Sequence, residues 1–277
     1  MNYVPLNTKN DLLSGLRSLS FLMCLLILVG CQTESEDILD QPVEDLYIQA
    51  HNLFKEQSYT NAAKGFADVE RQHPYSNWAL KAQLMSSYCY YQAKRYDDAI
   101  DGFKSFVQLH PGHSDVAYAY YMIGLCYYEQ IPIVERDQEP TAKALEAFQE
   151  VVSRFKSSDY SKDATLKISL IQDHLAAKEM AVGRFYLKKK SYIAALNRFK
   201  CVIKEYQSTA QVQEALFRAT EVCMMLGLGG EAQKYASVLG YNYSNSTWYK
   251  DAYALVKAEP LSVFESKPKK ETSKVKK

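Results

Sequence analysis

The chain lacks the common catalytic signatures. Its 277 residues include no G-x-S-x-G nucleophile turn, no H-E-x-x-H zinc motif and no glycine-rich phosphate loop. There is also no excess of charge, because 33 basic side chains are balanced by 32 acidic ones and the formal net charge is +1. Nucleic-acid-binding proteins are usually markedly basic. These absences argue against a nucleic-acid partner and favour a binding scaffold over an enzyme.

Metal-ligand patterns are missing as well. No two of the six cysteines have C-x-x-C spacing, and of the five histidines only His110 and His113 are close together. We therefore expect no metal ion and no diffusible cofactor. An oxidising periplasm would permit disulfides, but Cys89 and Cys126 are 37 residues apart, at equivalent positions of the adjacent helical repeats described below. Such positions lie about a helix-packing distance apart, which is usually too far for a disulfide. Buried thiols are thus favoured for Cys89, Cys126, Cys201 and Cys223.

The N-terminal apolar run is too short to cross a membrane as a helix. It covers nine residues, Phe21–Val29, follows two basic side chains and leads into Leu28-Val29-Gly30-Cys31. Such a pattern is typical of a secretory signal. Its ending resembles the bacterial lipobox, in which the cysteine is acylated and the chain is cut just before it. We predict a lipoprotein signal peptide over residues 1–30 and a covalent lipid on Cys31; the alternative is a chance hydrophobic run.

Polar segments flank the body of the chain. Residues 31–40 have the polarity of an unfolded tether. An Asp directly after the acylated cysteine tends to retain enterobacterial lipoproteins in the inner membrane, and Gln32 at that position favours the outer membrane and its periplasmic face. A surface-export signal formed by the acids behind it is the alternative. Residues 259–277, with six lysines beyond Ser266, predict a disordered basic tail.

The body is built from a repeat. An Ala followed four residues later by Phe occurs four times, each time in a stretch with helical apolar spacing. Tyr59, Ala62, Phe66 and Pro74 all recur 37 residues later, and a helix must stop at such a proline. The four pairs are Ala62/Phe66, Ala99/Phe103, Ala144/Phe148 and Ala195/Phe199.

This pattern resembles the tetratricopeptide repeat, whose second helix carries A-x-x-x-F and ends at a proline. The small Ala lets two antiparallel helices approach, and the Phe fills the space toward the next unit. A fifth unit without the Phe is predicted over Ala215–Ala236. Predicted first helices are Leu46–Glu56, Leu80–Lys94 and Val116–Glu129. We therefore predict an all-α fold, a superhelical array of about five tetratricopeptide-like helix pairs.

Two interruptions of the period are informative. Eight extra residues in the third repeat contain Pro132 and Pro140, which predict an irregular loop. Fourteen extra residues in the fourth repeat lie within Ser161–Lys190, which has no proline; because about 14 residues make close to four helical turns, they predict a lengthened helix. Lys188, Lys189 and Lys190 would be its solvated end. The predicted domains are repeats 1–3 over residues 41–158 and repeats 4–5 over residues 159–258.

Together these features resemble the BamD family, also called YfiO or ComL, which supplies the lipoprotein subunit of the outer-membrane β-barrel assembly machine. The resemblance covers about residues 40–255 and rests on the lipobox, the five degenerate repeats, the loop and the long helix. It is most specific at Val116–Tyr127, Asp163–Lys178 and Glu179–Tyr206. The missing repeat Trp, and the missing prolines after repeats three and four, mark a divergent member.

The resemblance implies a non-enzymatic scaffold, lipid-anchored to the outer membrane and facing mainly the periplasm. Its C-terminal repeats would dock onto the POTRA domain nearest the barrel of the central subunit, with Arg198 at the contact and Asn197 beside it. Arg is suited to a bidentate bond with a partner carboxylate; the alternative is a solvated helix arginine. Accessory lipoproteins of the machine and membrane lipid, reached through the acyl chain, are the other expected partners.

The first helices of repeats one to three are expected to line a groove rich in tyrosine. Tyr offers a rigid apolar face and a hydroxyl, and a lysine can bind a peptide carboxylate. The resemblance implies that unfolded outer-membrane proteins, which end in an aromatic residue, present that end to the groove. Equally open is that the tyrosines only pack between helices. The groove candidates are Tyr47, His51, Lys55, Lys81, Tyr88, Tyr91, Tyr118, Tyr121 and Tyr128.

Two other functions stay open at this point. One is a pilotin-like lipoprotein that escorts a secretin to the outer membrane. The other is a cell-wall-associated repeat lipoprotein whose groove binds a hydrolase. A pilotin should be a compact repeat body without a long helix in the fourth repeat, so the length of that helix helps to separate the alternatives.

Overall fold

The computed structural model describes residues 41–258. The predicted signal peptide, Cys31, the tether up to residue 40 and the tail over 259–277 lie outside the described residues. Residues 41–258 form eleven α-helices and no strand, which confirms the all-α prediction. The helices are α1 Val43–Lys55, α2 Tyr59–Gln72, α3 Asn77–Gln92, α4 Tyr96–Leu109, α5 Val116–Tyr128, α6 Glu139–Arg154, α7 Asp159–Lys188, α8 Tyr192–Glu205, α9 Val212–Met225, α10 Gly229–Asn242 and α11 Thr247–Ala258.

Five helical hairpins follow one another along the chain, as the repeat pattern predicts. They are α1–α2, α3–α4, α5–α6, α7–α8 and α9–α10, and each helix packs on the next one in sequence. The first helices of neighbouring repeats also touch, α1 against α3 and α5 against α7. The last helix, α11, packs on both α9 and α10. It covers the fifth repeat and was not predicted, because it lacks the repeat pattern.

The Ala-x-x-x-Phe pairs form the core of the repeats. All four alanines and all four phenylalanines are completely buried. In repeats three and four the Phe packs directly on a glycine of the first helix. A Cβ added at Gly124 would lie 2.7 Å from Cε1 of Phe148, and one added at Gly183 would lie 2.5 Å from Cε1 of Phe199. No carbon atom fits at these distances, so the close approach of the two helices requires glycine.

In repeats one and two the helices approach equally closely, but the glycine is on the second helix and faces a small Ala or Ser on the first. Ala50 and Ser87 stand 37 residues apart in the register that Gly124 occupies, and the glycine is on the second helix instead. A Cβ at Gly65 would lie 3.0 Å from Cβ of Ala50, and one at Gly102 would lie 2.3 Å from Oγ of Ser87. Every one of the first four repeats therefore has a glycine at the crossing point of its two helices.

The turn between the two helices of a repeat uses a left-handed residue. Gln57, Lys94, Lys190 and Gly227 have φ angles of +60°, +59°, +60° and +71°. This conformation ends the first helix and is most easily adopted by glycine, which the fifth repeat has at this place as Gly227. In the third repeat the predicted loop replaces the turn. Buried Gln138 organises this loop by donating hydrogen bonds of 3.1 Å to the carbonyl oxygens of Ile133 and Arg136.

The lengthened helix of the fourth repeat is confirmed as α7, a single helix of 30 residues. Its N-terminus is capped by Ser158, whose Oγ accepts a hydrogen bond of 3.2 Å from the backbone N–H of Ser161. Ile171, in its first half, belongs to the core of the third repeat, whereas Ala176 and Met180 belong to the core of the fourth. One continuous helix is thus shared between the two groups of repeats.

The cysteines of the described chain are free thiols, as the sequence favours. Cys89, Cys126 and Cys223 are buried, and Cys201 is half-buried. Burial raises the pKa of the Cys89 and Cys126 thiols to about 12. They are therefore neutral core side chains, since the thiolate is the form that reacts and binds metals.

Substitution of Gly183 should test the close approach of α7 and α8. Gly183→Ala places a methyl group against the Phe199 ring, and overpacking of this kind costs about 1–3 kcal/mol of stability. The matched control is Gly230→Ala in α10, where an added Cβ meets nothing within 4 Å. Urea unfolding followed by circular dichroism should show the loss for Gly183→Ala only. Equal stability of the two variants would contradict the packing described here.

Candidate functional site

The nine groove candidates lie on the first helices of the three N-terminal repeats, as predicted. Tyr47, His51 and Lys55 are on α1, Lys81, Tyr88 and Tyr91 are on α3, and Tyr118, Tyr121 and Tyr128 are on α5. The two lysines are exposed, and the seven ring side chains are all half-buried. Each ring therefore buries one part against the protein and leaves another part accessible.

The buried parts of these rings connect neighbouring repeats. The ring of Tyr47 lies 4.7 Å from that of Trp78, centroid to centroid, and so joins α1 to α3. The ring of Phe54 lies 5.9 Å from Tyr88 across the same two helices, and Tyr88 lies 6.1 Å from Tyr91. Inter-helix packing is thus part of the role of these tyrosines. It does not preclude peptide binding, because the outer part of each ring stays exposed.

The ring contacts of the groove candidates continue onto α7, which the sequence analysis did not assign to the predicted groove. Tyr118 and Tyr121 contact the ring of Tyr160 at centroid distances of 5.7 and 5.4 Å. Nζ of Lys167 lies 4.6 Å from the centre of the Tyr128 ring. The spacing of Tyr160, Asp163 and Lys167, which places them on one helix face, is the sequence signal from which they could have been identified.

One hydrogen bond joins the two groups of repeats at this place. The Tyr121 hydroxyl donates to Oδ2 of Asp163 at 2.5 Å. Burial, and then this hydrogen bond to the carboxylate, hold the pKa of Tyr121 well above its usual value. The hydroxyl therefore stays protonated and acts as a fixed donor. This end of the predicted groove is polar, and it combines a tyrosine-bound carboxylate with the cation of Lys167.

Arg198 and Asn197 lie on the exposed face of α8. Arg198 directly precedes buried Phe199, so it takes the register position that Gly65 and Gly102 occupy in the first two repeats. Its Nη1 donates to Oε2 of Glu179 on α7 at 3.1 Å. The arginine side chain is 46% exposed, whereas that of Glu179 is 18% exposed. The carboxylate therefore holds the guanidinium in place while much of it remains in solvent.

A cavity of about 270 Å³ lies along the same part of α7, and Tyr186, which lines it, is within electrostatic range of Arg198. One wall comes from Val134 and Glu135 of the third-repeat loop, and the other comes from α7, including Val182, Phe185 and Tyr186. Phe185 is 57% exposed. The loop is tied to the helix by Lys178, whose Nζ donates to the carbonyl oxygen of Arg136 at 3.3 Å. The two interruptions of the repeat thus meet and build one apolar depression near Arg198.

Other kinds of site are not visible within residues 41–258. No group of three or more His, Cys, Asp or Glu side chains there is arranged to bind a metal ion. None of the helices described for this part of the chain combines the length and the apolar character that crossing a membrane needs.

The sequence was compared with known protein families. The profile of the family described as YfiO, outer membrane lipoprotein, matches residues 39–239. The chain belongs to this family. The match begins before α1 and runs into α10, so it includes the groove candidates, the loop, the long helix and Arg198.

Curated relatives agree with this assignment. The chain is 46% identical over 234 residues to the outer membrane protein assembly factor BamD of Rickettsia prowazekii (strain Madrid E), which covers 84% of this chain and 93% of that protein. It is 43% identical over 217 residues to the outer membrane protein assembly factor BamD of Caulobacter vibrioides (strain ATCC 19089 / CIP 103742 / CB 15), covering 78% and 71%. Among solved structures, the TPR2AB-domain:pHSP90-complex of yeast Sti1 matches with a TM-score of 0.41 and 12% identity, covering 78% of this chain and 83% of that one.

Proposed function

We propose that this chain is a non-enzymatic, lipid-anchored scaffold of the outer-membrane β-barrel protein assembly machinery. Its relatives carry the name outer membrane protein assembly factor, and its family is described as an outer membrane lipoprotein. A lipid on Cys31 holds the chain at the outer membrane, where it faces mainly the periplasm. The array of helical hairpins offers binding surfaces rather than a reaction centre.

The C-terminal repeats bind the central POTRA-barrel subunit, with Arg198 and Asn197 at the contact. The observation that carries this assignment is the half-exposed Arg198 guanidinium held by Glu179. Within residues 41–258, Nη1 alone of its donors forms a hydrogen bond, so other N–H groups are available for a carboxylate of the partner. A charge that is positioned before binding loses less conformational freedom when the partner arrives.

The neighbouring cavity supports the same contact. Its volume of about 270 Å³ and its lining by Val182 and Phe185 suit an apolar side chain of the partner. Aromatic and arginine side chains are both enriched in the centres of protein interfaces. The third-repeat loop contributes the opposite wall. This surface therefore requires a repeat array that has both the loop and the lengthened helix α7. Accessory lipoproteins of the machine are further proposed partners of the chain.

The groove of repeats one to three binds unfolded outer-membrane protein peptides. Support comes from its half-exposed tyrosine rings and from the exposed lysines Lys55 and Lys81. Nζ of Lys81 lies 5.5 Å from the centre of the Trp78 ring, so a cation and an aromatic surface are adjacent. A peptide that ends in an aromatic residue and a carboxylate matches both features.

The long helix also bears on the alternative functions. A pilotin is expected to lack a lengthened helix in its fourth repeat, whereas α7 has 30 residues. This observation favours the assembly machinery over a pilotin-like scaffold. A cell-wall-associated scaffold predicts no particular length for α7. The purification described next distinguishes this alternative by the partner that it recovers.

Charge reversal at Arg198 should release the central subunit. A tagged full-length chain is purified from envelopes in mild detergent, and bound proteins are identified by mass spectrometry. Recovery of a large POTRA-barrel protein should fall at least about tenfold for Arg198→Glu, because a charge-assisted hydrogen bond is replaced by repulsion. Lys204→Glu, an equal charge change at an exposed lysine of the same helix, should leave recovery unchanged.

Each outcome of that purification is informative. A secretin or a cell-wall hydrolase in place of the POTRA-barrel protein would contradict the proposed function. Undiminished recovery with Arg198→Glu would keep the function and remove Arg198 from the contact.

Photo-crosslinking should locate peptide binding in the groove. The probe is a synthetic decapeptide that alternates polar and apolar residues and ends in Phe with a free carboxylate. p-Benzoylphenylalanine placed at Lys81, in the groove, should crosslink to it, and the same group at Lys64, exposed on the second helix of repeat one, should not. Replacing the terminal Phe by Ala should weaken the crosslink. Equal crosslinking at both positions would show that the peptide does not select the groove.

A further inference from the structure

A second cavity lies between the first helices of repeats four and five. Its volume is about 450 Å³, a size typical of ligand pockets. The end of α7, the turn into α8 and one side of α9 form its walls. None of the groove candidates, nor Arg198, belongs to its lining. Four of the lining residues are cations and none is an acid: Arg184, Lys188, Lys190 and Arg218.

Two of these cations are held in fixed positions. Glu214 accepts hydrogen bonds from Nη1 of Arg184 at 3.1 Å and from Nε of Arg218 at 3.4 Å. Glu221 accepts from Nη1 of Arg218 at 2.8 Å. A guanidinium has five N–H donors, so both arginines keep donors for a ligand while the two carboxylates position them.

The other two cations have no acidic partner among residues 41–258. Lys188 ends α7, Lys190 follows in the left-handed turn with φ of +60°, and both are exposed. Four cations against Glu214 and Glu221 leave an excess of two positive charges around the cavity. A favourable contact with the helix dipole accounts for Lys188 at the end of α7. It does not account for Arg218, which lies in the middle of α9.

Apolar side chains complete the lining. Leu187, Tyr192 and Met225 reach the same cavity as the cations. Met225 is 51% exposed, so a flexible thioether that adapts to different shapes is available to a ligand. The cavity thus offers an anion site and an apolar contact side by side.

We infer that this cavity binds an acidic segment of a partner protein, with a carboxylate among the four cations and an adjacent apolar side chain against Leu187 and Met225. The planar guanidinium of arginine matches a carboxylate in two parallel hydrogen bonds. A free phosphate would bind the cations but would make no contact with the apolar lining. A phospholipid would place its acyl chains outside a cavity of this size. An acidic peptide next to an apolar residue uses both parts.

The inference goes beyond the proposed function and does not depend on it. Neither Arg198 nor the groove takes part, so loss of one surface leaves the other intact. The cavity lies on the C-terminal repeats, but its lining contains neither Arg198 nor Asn197. It therefore offers a contact for an additional partner.

Fluorescence anisotropy with the full chain in mild detergent at physiological salt tests the site. The probe is a fluorescein-labelled nonapeptide with a central Asp-Leu-Asp-Leu, compared with a counterpart that has Asn at both Asp positions. The acidic peptide should bind at least about tenfold more tightly than its amide counterpart, as expected for charge-assisted hydrogen bonds. The double variant Lys188→Glu/Lys190→Glu should weaken its binding at least about tenfold for the same reason.

The matched control is Lys64→Glu/Lys94→Glu, with the same change of net charge at two exposed lysines of repeats one and two, far from the cavity in sequence. It should change binding by less than about twofold, because exposed distant charges are screened by salt. Circular dichroism checks that both variants fold. p-Benzoylphenylalanine at Met225 should crosslink to the acidic peptide.

Three results would overturn the inference. The first is failure of the acidic peptide to bind, or equal binding of the amide counterpart. The second is an equal loss in the control variant, which would show non-specific attraction. The third is that the chain binds phosphatidylglycerol vesicles and not the peptide, and that Lys188→Glu/Lys190→Glu abolishes the vesicle binding. This result would assign the site to a lipid headgroup.

Discussion

Phe199 lies so close to Gly183 that not even a methyl group fits between the two helices of the fourth repeat. Gly124 and Phe148 repeat this contact one unit earlier, and the first two repeats achieve it with a glycine on the second helix. Because protein interiors are close-packed, such a contact fixes where two helices cross and how they are rotated. The position of every surface side chain along the array follows from that crossing.

The surfaces with a proposed role arise where the repeat is interrupted. The third-repeat loop and the lengthened α7 meet beside Arg198 and enclose the apolar depression there. Arg198 itself stands where the first two repeats have glycine, and Glu179 of α7 turns this departure into a positioned charge. Since α7 contributes Ile171 to one core and Met180 to the next, the proposed groove and the proposed partner surface belong to one framework. The positions of these two surfaces relative to each other are therefore fixed by α7.

Local pattern was enough to predict the helical hairpins, the loop and the long helix, since Ala, Phe and Pro recur with a fixed period and the surplus residues show where it breaks. The local pattern could not predict which side chains of neighbouring helices contact each other. The bonds from Tyr121 to Asp163 and from Arg198 to Glu179 depend on how neighbouring helices are rotated. The lysines at the end of α7 were predicted to be solvated, and they are exposed. Only the fold shows that Arg218 lines the same cavity.

Hydrogen exchange along α7, followed by mass spectrometry of peptides, tests most directly whether the two groups of repeats form one framework. The backbone amides between Ile171 and Ala176, where α7 passes from one core to the next, should be as strongly protected as those near Ala164 and Met180. Local openings of a shared helix would then have similar free energies along its middle. Rapid exchange confined to residues 171–176, with both flanks protected, would reveal a hinge and contradict a shared rigid helix.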